Sequence, residues 1–409
     1  MRMDRMKLSG GLLGIVVLIV VSLLLPSPAM AQQKKADAKI IKIGILAALT
    51  GFASAAEVHQ KDGALLAIDW LNEKGGITIK GQKYLFEGVV EDNKSTAEGA
   101  KAAAEKLVYD HKVKFIAGAT IPYINIAAAP VTEAAKVIRA LNYVCDTPEE
   151  LNAKTRYTFK PNPAIREGIG PALDYLVEKF PKVKTIAMIT PQDGAESVLG
   201  AICDKEATQR GLKQVIVVAW PHDTADFYPK VTQLLASKPD AIFIVNGYEQ
   251  ATAPILKAAR EMGFKGPAPM GNYDDPYDIV KLTGKDYTAP FWTHGWSRDV
   301  NDPQLTPEMK EIIKRAEAKL GKFHQWNFWG WTEVWAIAQA IEKAQSLDTT
   351  VVANTWRKMD SIKTPYGPGK MCGEKTYGIK NVVCSRVAIT EVLPDGNVKH
   401  IKWVNVNLP

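Results

Sequence analysis

The chain is 409 residues long and carries 51 Lys and Arg against 44 Asp and Glu, a formal net charge of +7. That length exceeds what one hydrophobic core of usual size organises, so two lobes are expected. The positive charge is spread over lysine-rich stretches such as PEMKEIIKRAEAKLGK, a solvated surface that excludes the concentrated basic block of a nucleic-acid-binding protein.

Residues 1–31 carry Arg2, Arg5 and Lys7, an apolar run from Leu12 to Leu25, Pro26 and Pro28, and then Ala29-Met30-Ala31. This charged, apolar, small-x-small order predicts a cleaved secretory signal peptide. The apolar run is shorter than the roughly 20 residues a bilayer span needs, and no second one follows. No cysteine lies near Ala31 to take a lipid anchor, so a soluble, periplasmic protein is expected.

Beyond the signal, apolar strand-like runs alternate with helical patterns. Strands are predicted at Ile40–Ala48, Tyr84–Glu91, Phe115–Ala117 and Val137–Leu141. Between them lie helices at Glu57–Lys74, stopped by Gly75-Gly76, at Ser95–His111, with Ser95 and Glu98 in capping-box spacing, and at Ile124–Lys136. Helices of this length between strands favour a parallel sheet with right-handed crossovers. After the proline-broken YTFKPNPA the pattern restarts. Helices are predicted at Gly168–Phe180, Ala195–Arg210, Phe227–Ser237 and Tyr248–Met262, with strands at Thr185–Thr190, Val215–Ala219, Ala241–Val245 and near Pro269–Gly271. From Phe291 the chain is expected to return to the first lobe with helices Thr306–Leu320 and Phe328–Gln345. Strands Val382–Val392 and Val398–Val404 follow, joined through the hairpin signal Pro394-Asp395-Gly396. The fold class is therefore α/β, with one half a structural echo of the other.

Of the four cysteines, Cys372 and Cys384 flank GEKTYGIKNVV, a spacing that a strand-loop-strand closes, and a disulfide is expected there. The pairing of Cys145 and Cys203 stays open. Gly76-x-x-x-x-Gly81 is followed by Gln82-Lys83 and lacks the Lys-Ser/Thr pair of a phosphate loop, so it reads as a turn. Neither a nucleophile elbow nor an H-E-x-x-H helix occurs, and the six histidines are scattered. Asp193, Asp274 and Cys145 are the only acid-base or nucleophile candidates, and none has an assignable histidine. The protein is read as a binding protein and not an enzyme, with no cofactor or metal. In the aromatic run, Trp331 and Trp335 share a helix face and read as packing onto the first lobe, with a place at a cleft rim as the alternative for this run of tryptophans.

Five pieces taken in order resemble the type I periplasmic substrate-binding proteins of branched-chain amino-acid-type ABC transporters, those like the leucine/isoleucine/valine-binding proteins. They are IKIGILAALTG, GALLAIDWLNEKGGI before EDNKSTAEGAKAAAEKLV, IAGA…AAAPVTEAAKV, DFYPKVTQLLASKPDAIFIVNGYEQATAPILKAAREMG and WGWTEVWAIAQAIEKA. The resemblance implies two Rossmann-like lobes, residues 39–160 plus 295–363 and residues 161–292 plus 366–409, joined by a three-crossing hinge. The crossings fall near 160–163, 291–296 and 364–368. It also implies a monomer that closes on a small-molecule ligand and is recognised by membrane permease and ATPase subunits; a ligand-sensing receptor module is the alternative.

Carried over by position, the ligand site comprises Thr120, Ile121, Asn142, Tyr143, Cys145, Tyr248 and Tyr273. The serine expected to hold a ligand carboxylate falls on Pro122, which has neither amide hydrogen nor hydroxyl; Tyr123 or Asn125 is the substitute. Asp193 and Gly194 stand where an aromatic residue is usual, and Phe52 and Ala56 replace the usual first-loop pattern. The acid that pairs with an amino-acid ammonium aligns with Tyr273, with Asp274 one residue on. With both charged anchors altered, the expected ligand is an aromatic or other organic acid, or a non-standard amino acid, ahead of leucine, isoleucine or valine.

Overall fold

The computed structural model describes residues 38–141, 147–163, 165–272, 274–295 and 297–408, so the expected signal lies outside the described residues. No helix among these residues is long and apolar enough to cross a membrane.

The first sheet is built from β1 (Lys39–Ala47), β2 (Ile77–Ile79), β3 (Gln82–Asp92), β4 (Phe115–Ala117), β5 (Ile138–Ala140) and β6 (Thr158–Phe159), in the order β2-β3-β1-β4-β5-β6. β1 pairs parallel with β3 on one side and β4 on the other. Its Ile43, Ile45, Leu46 and Ala47 are wholly buried, as a central parallel strand covered on both faces requires. Helices α1 (Ser54–Glu73), α2 (Ala97–Glu105) and α3 (Pro122–Ala134) form the crossovers. Two local expectations are corrected. Residues 76–81 are more than a turn, because β2 pairs antiparallel with β3 and the hairpin bends at Lys80-Gly81, both at positive φ. The cap of α2 is Thr96, whose hydroxyl accepts from Gly99 N at 3.0 Å. Ser95 instead turns back to donate to Thr50 O at 2.9 Å.

The second half runs through α4 (Ile165–Lys179), β7 (Thr185–Pro191), α5 (Glu196–Gln209), β8 (Lys213–Trp220), α6 (Tyr228–Ala236), β9 (Ala241–Ile244) and α7 (Glu249–Glu261). β10 (Ala268–Pro269), α8 (Pro276–Thr283), α9 (Lys285–Thr288) and β11 (Phe291–Gly295) continue it. β8-β7-β9 is parallel, and an Ile244–Met270 bridge carries it to β10. β11 pairs with β10, so the chain leaves this half only after Gly295.

Helices α10 (Pro307–Leu320), α11 (Gln325–Ala344) and α12 (Thr349–Trp356) follow. α11 crosses α1 backbone to backbone: a Cβ on Gly63 would come within 1.7 Å of Asn327 O, and one on Gly330 within 1.9 Å of Gln60 O. Only glycine permits that approach. Trp70 of α1 meets Trp331 at 5.0 Å and Trp335 at 5.5 Å between ring centroids, so these two tryptophans do pack onto the first half.

The chain ends with β12 (Ile362–Thr364), β13 (Gly367–Cys372), α13 (Glu374–Tyr377), β14 (Val382–Cys384), β15 (Arg386–Val392) and β16 (Val398–Asn405). The expected single strand 382–392 divides at Ser385, because β14 pairs with β13 whereas β15 pairs with β11 and β16. One strand cannot serve two sheets without a bend. Cys372 and Cys384 form a disulfide, and Cys203 is a buried free thiol. Lys160 N donates to Asn381 O and Val383 N to Lys160 O, so two connecting segments run side by side.

Candidate functional site

A cavity of about 290 Å³ lies at the carboxyl ends of β1, β4, β7, β8 and β9, where loops and helix N-termini converge. This is the position at which open α/β sheets present ligands.

The first wall is the loop after β1. Asp92 holds it by accepting from Leu49 N at 2.8 Å and the Thr50 hydroxyl at 2.7 Å. Ser95 adds a bond to Ala53 N at 3.1 Å. Thus pinned, the loop carries Phe52 to the cavity rim, 46% exposed. Glu57, on the first turn of α1, forms part of the floor. Its carboxylate accepts from Ala48 N at 2.5 Å and Asn93 Nδ2 at 3.0 Å, with the Thr120 hydroxyl as a further partner. Burial nonetheless raises its pKa.

Thr120, Ile121 and Pro122 form the next segment of the lining, with Pro122 opening α3. Tyr123 is not brought to the cavity. One step round the helix from Pro122, it donates its hydroxyl to Ser95 O at 3.1 Å. Asn125 is buried and braces the loop, donating to Thr120 O at 3.3 Å and Glu150 Oε1 at 3.0 Å. Neither residue supplies the missing carboxylate anchor. Asn142, Tyr143, Cys145 and Tyr273 lie outside the described residues.

From the second half come Asp193, His222, Asn246, Tyr248, Asn272 and Asp274. Asp193 follows β7, is 7% exposed, and accepts from Ala195 N at 3.1 Å and Asn246 Nδ2 at 2.5 Å. Burial pushes its pKa up to about 7. Asn272 clasps the loop after β9 with two bonds, accepting from Gly247 N at 3.2 Å and donating to Gly247 O at 2.7 Å. That clasp sets Tyr248 at the N-terminus of α7. Asp274 is 4% exposed; its Oδ1 accepts from Gln325 Nε2 at 3.3 Å. The Thr252 hydroxyl is the second neutral partner of Asp274. Burial, with Glu249 close by, holds the Asp274 carboxyl well above the usual carboxylate range.

Rings close the site. Phe52 stacks on His222 at 4.4 Å between centroids, His222 lies 6.1 Å from Tyr248, and Trp326 and Trp329 stack on each other at 5.5 Å. The aromatic run of α11 thus divides its work, with Trp331 and Trp335 in the core and Trp326 and Trp329 lining the cavity. Sequence reasoning missed Glu57, His222, Asn246 and Asn272. Ser54-x-x-Glu57 has capping-box spacing, which gives a local role to a side chain that in fact reaches Ala48 and Asn93.

Two α/β halves with strand ends and helix N-termini facing one ring-lined cavity define a two-lobed solute-binding protein. The chain belongs to the periplasmic binding protein family, whose model matches residues 40–392, and within it to the branched-chain amino-acid type. It is 25% identical over 340 residues to the leucine-, isoleucine-, valine-, threonine- and alanine-binding protein of Pseudomonas aeruginosa, covering 81% of this chain and 85% of that one. It is 26% identical over 352 residues to the Leu/Ile/Val-binding protein of Escherichia coli, covering 83% and 89%. Among solved structures, a leucine-binding protein of Thermotoga maritima superposes with a TM-score of 0.73 at 22% identity, over 89% of this chain and 99% of that one. A solute-binding protein of Rhodopseudomonas palustris in complex with p-hydroxybenzoic acid gives 0.75 at 20% identity, over 90% and 98%. The structural likeness is one of fold.

Proposed function

We propose that this protein is the periplasmic solute-binding component of an ABC importer, exported by a cleaved signal over residues 1–31. It closes two lobes, residues 39–160 plus 295–363 and 161–292 plus 366–409, over a small organic ligand and delivers that ligand to the permease. The observation that carries this reading is a single cavity walled by both halves: Phe52, Thr120 and Trp326 from one, Asp193, His222 and Tyr248 from the other. A ligand touching both walls stabilises the closed form by its differential affinity for it, and the closed form is what a permease can distinguish.

Thr120, Ile121, Asp193, Tyr248 and Asp274 are the residues assigned to ligand contact, since each lines this cavity. The rings of Phe52, Tyr248, Trp326 and Trp329 favour a ligand with a flat or aromatic body over leucine, isoleucine or valine. Relatives named for branched-chain amino acids and a neighbour holding p-hydroxybenzoic acid place both ligand classes within reach of this fold.

Ligand-free protein is titrated with leucine and with a panel of aromatic acids, aromatic amines and amino acids, following small-angle scattering and melting temperature. Compaction with a raised melting temperature for an aromatic compound is expected. Tight leucine binding refutes the ligand preference, and unchanged scattering with every compound refutes the solute-binding reading.

A further inference from the structure

We infer that the ligand is an organic ammonium ion without a carboxylate, its cationic nitrogen held between Asp193 and Asp274 among the cavity's aromatic faces. The inference rests on the solute-binding reading of the same cavity and narrows it to one charge class.

Three carboxyl groups, Glu57, Asp193 and Asp274, line the cavity, and among the described residues no Lys or Arg side chain does. Asp274 is 4% exposed and lines the cavity, and its side-chain partners Gln325 and Thr252 are both neutral. A buried carboxyl group with only neutral partners gains most from a cationic N–H, which favours its ionised form. An anionic ligand would be buried beside three carboxyl groups with no basic side chain to offset it, whereas a cation stabilises their ionised forms and lowers their raised proton affinity.

The carboxylate-binding side is also dismantled. Pro122 opens α3 with no amide hydrogen to offer. The Thr120 hydroxyl is engaged with Glu57. Meanwhile Phe52, Tyr248, Trp326 and Trp329 present ring faces whose quadrupoles attract cations, the arrangement by which organic ammonium groups are recognised.

The test uses three probes that share a benzyl group and differ in the charged groups attached to it: phenethylamine with an ammonium, phenylacetate with a carboxylate and phenylalanine with both. Calorimetric titration of the full exported chain at about pH 7.5, with scattering in parallel, is expected to show phenethylamine binding about tenfold or more tightly than either of the others, with compaction. Asp274→Asn and Asp193→Asn are each expected to weaken phenethylamine by about tenfold or more while the chain still melts cooperatively. Because either position could also disturb packing, the wild-type ranking of the three probes stands as a separate criterion.

Equal or tighter binding of phenylacetate or phenylalanine overturns the inference, as does failure of phenethylamine to bind or an unchanged affinity in Asp274→Asn. If phenylacetate or phenylalanine compacts the protein, solute binding stands and only the charge class falls. If none of the three does, the charge class falls and the broader panel decides solute binding.

Discussion

Phe52 stacks on His222 with 4.4 Å between ring centroids and 25° between planes, joining the loop after the first strand of one half to the loop after β8 of the other. The contact lies at the mouth of the cavity, where the proposed closure would act on it. Since Phe52 is 46% exposed, Phe52→Ala is expected to leave the melting temperature almost unchanged. Ligand affinity should fall several-fold, matching the roughly 0.5–1.5 kcal/mol of an aromatic pair. Calorimetry beside a thermal melt checks this, and a large melting shift with unchanged affinity would contradict it.

Gln325 Nε2 donates to two buried carboxyl groups, Asp274, which lines the cavity, and Glu249, which is not among its lining residues. Burial raises Glu249 from 4.5 to about 7. The folded state therefore holds this proton more tightly than the unfolded chain, so the contribution is fully present below about pH 4.5 and is lost as pH rises through about 7. Glu249→Gln removes the titration and keeps an acceptor for Gln325. Relative to the parent, the variant should gain stability across that window, by at most about 3 kcal/mol above pH 7, and gain nothing at low pH. Urea unfolding at a series of pH values measures the difference; a constant offset would disprove it.

Gly330→Ala tests the crossing of α1 and α11. Alanine favours an isolated helix by about 1 kcal/mol, but here its Cβ would meet Gln60 O at 1.9 Å, a backbone atom that cannot swing aside. A net loss of about 1–3 kcal/mol is expected from overpacking, seen as a lower denaturation midpoint. Stabilisation would show that the helices separate freely.

The disulfide between Cys372 and Cys384 spans 12 residues of sequence. Replacing both cysteines with serine should cost about 2–3 kcal/mol, through the extra freedom of the unfolded chain and two buried hydroxyls. Thermal melts of the oxidised parent, the reduced parent and the variant check this, with the latter two expected to coincide within a few degrees. No loss in either would show that the loop is ordered without the bond.

Much of the fold was legible because it depends on local patterns. β1, β4, β9, α7 and the turn at Pro394-Asp395-Gly396 follow from apolar runs, periodicity and turn residues. The division of 382–392 at Ser385 was not legible, because its apolar residues continue through the point where the strand changes sheets. Asp274 illustrates the same limit at the site. One residue from the aligned Tyr273, it lines the cavity, a register that Asn272 and the loop it clasps help to set. Tyr123 and Asn125 carry suitable chemistry at a suitable place in the sequence, yet bond to Ser95 and to Thr120 and Glu150 instead.

By itself the sequence determined the alternation of strands and helices, the doubled α/β plan, the family and the disulfide-compatible spacing, since each is written within a few turns of chain. Tertiary structure decided that Glu57, Asp193 and Asp274 share one cavity, and that Trp326 and Trp329 face it while Trp331 and Trp335 do not. The reason is that burial and charge proximity arise among side chains far apart in sequence. A carboxyl group takes its proton affinity from the water it has lost, and that loss is settled only when both halves are in place.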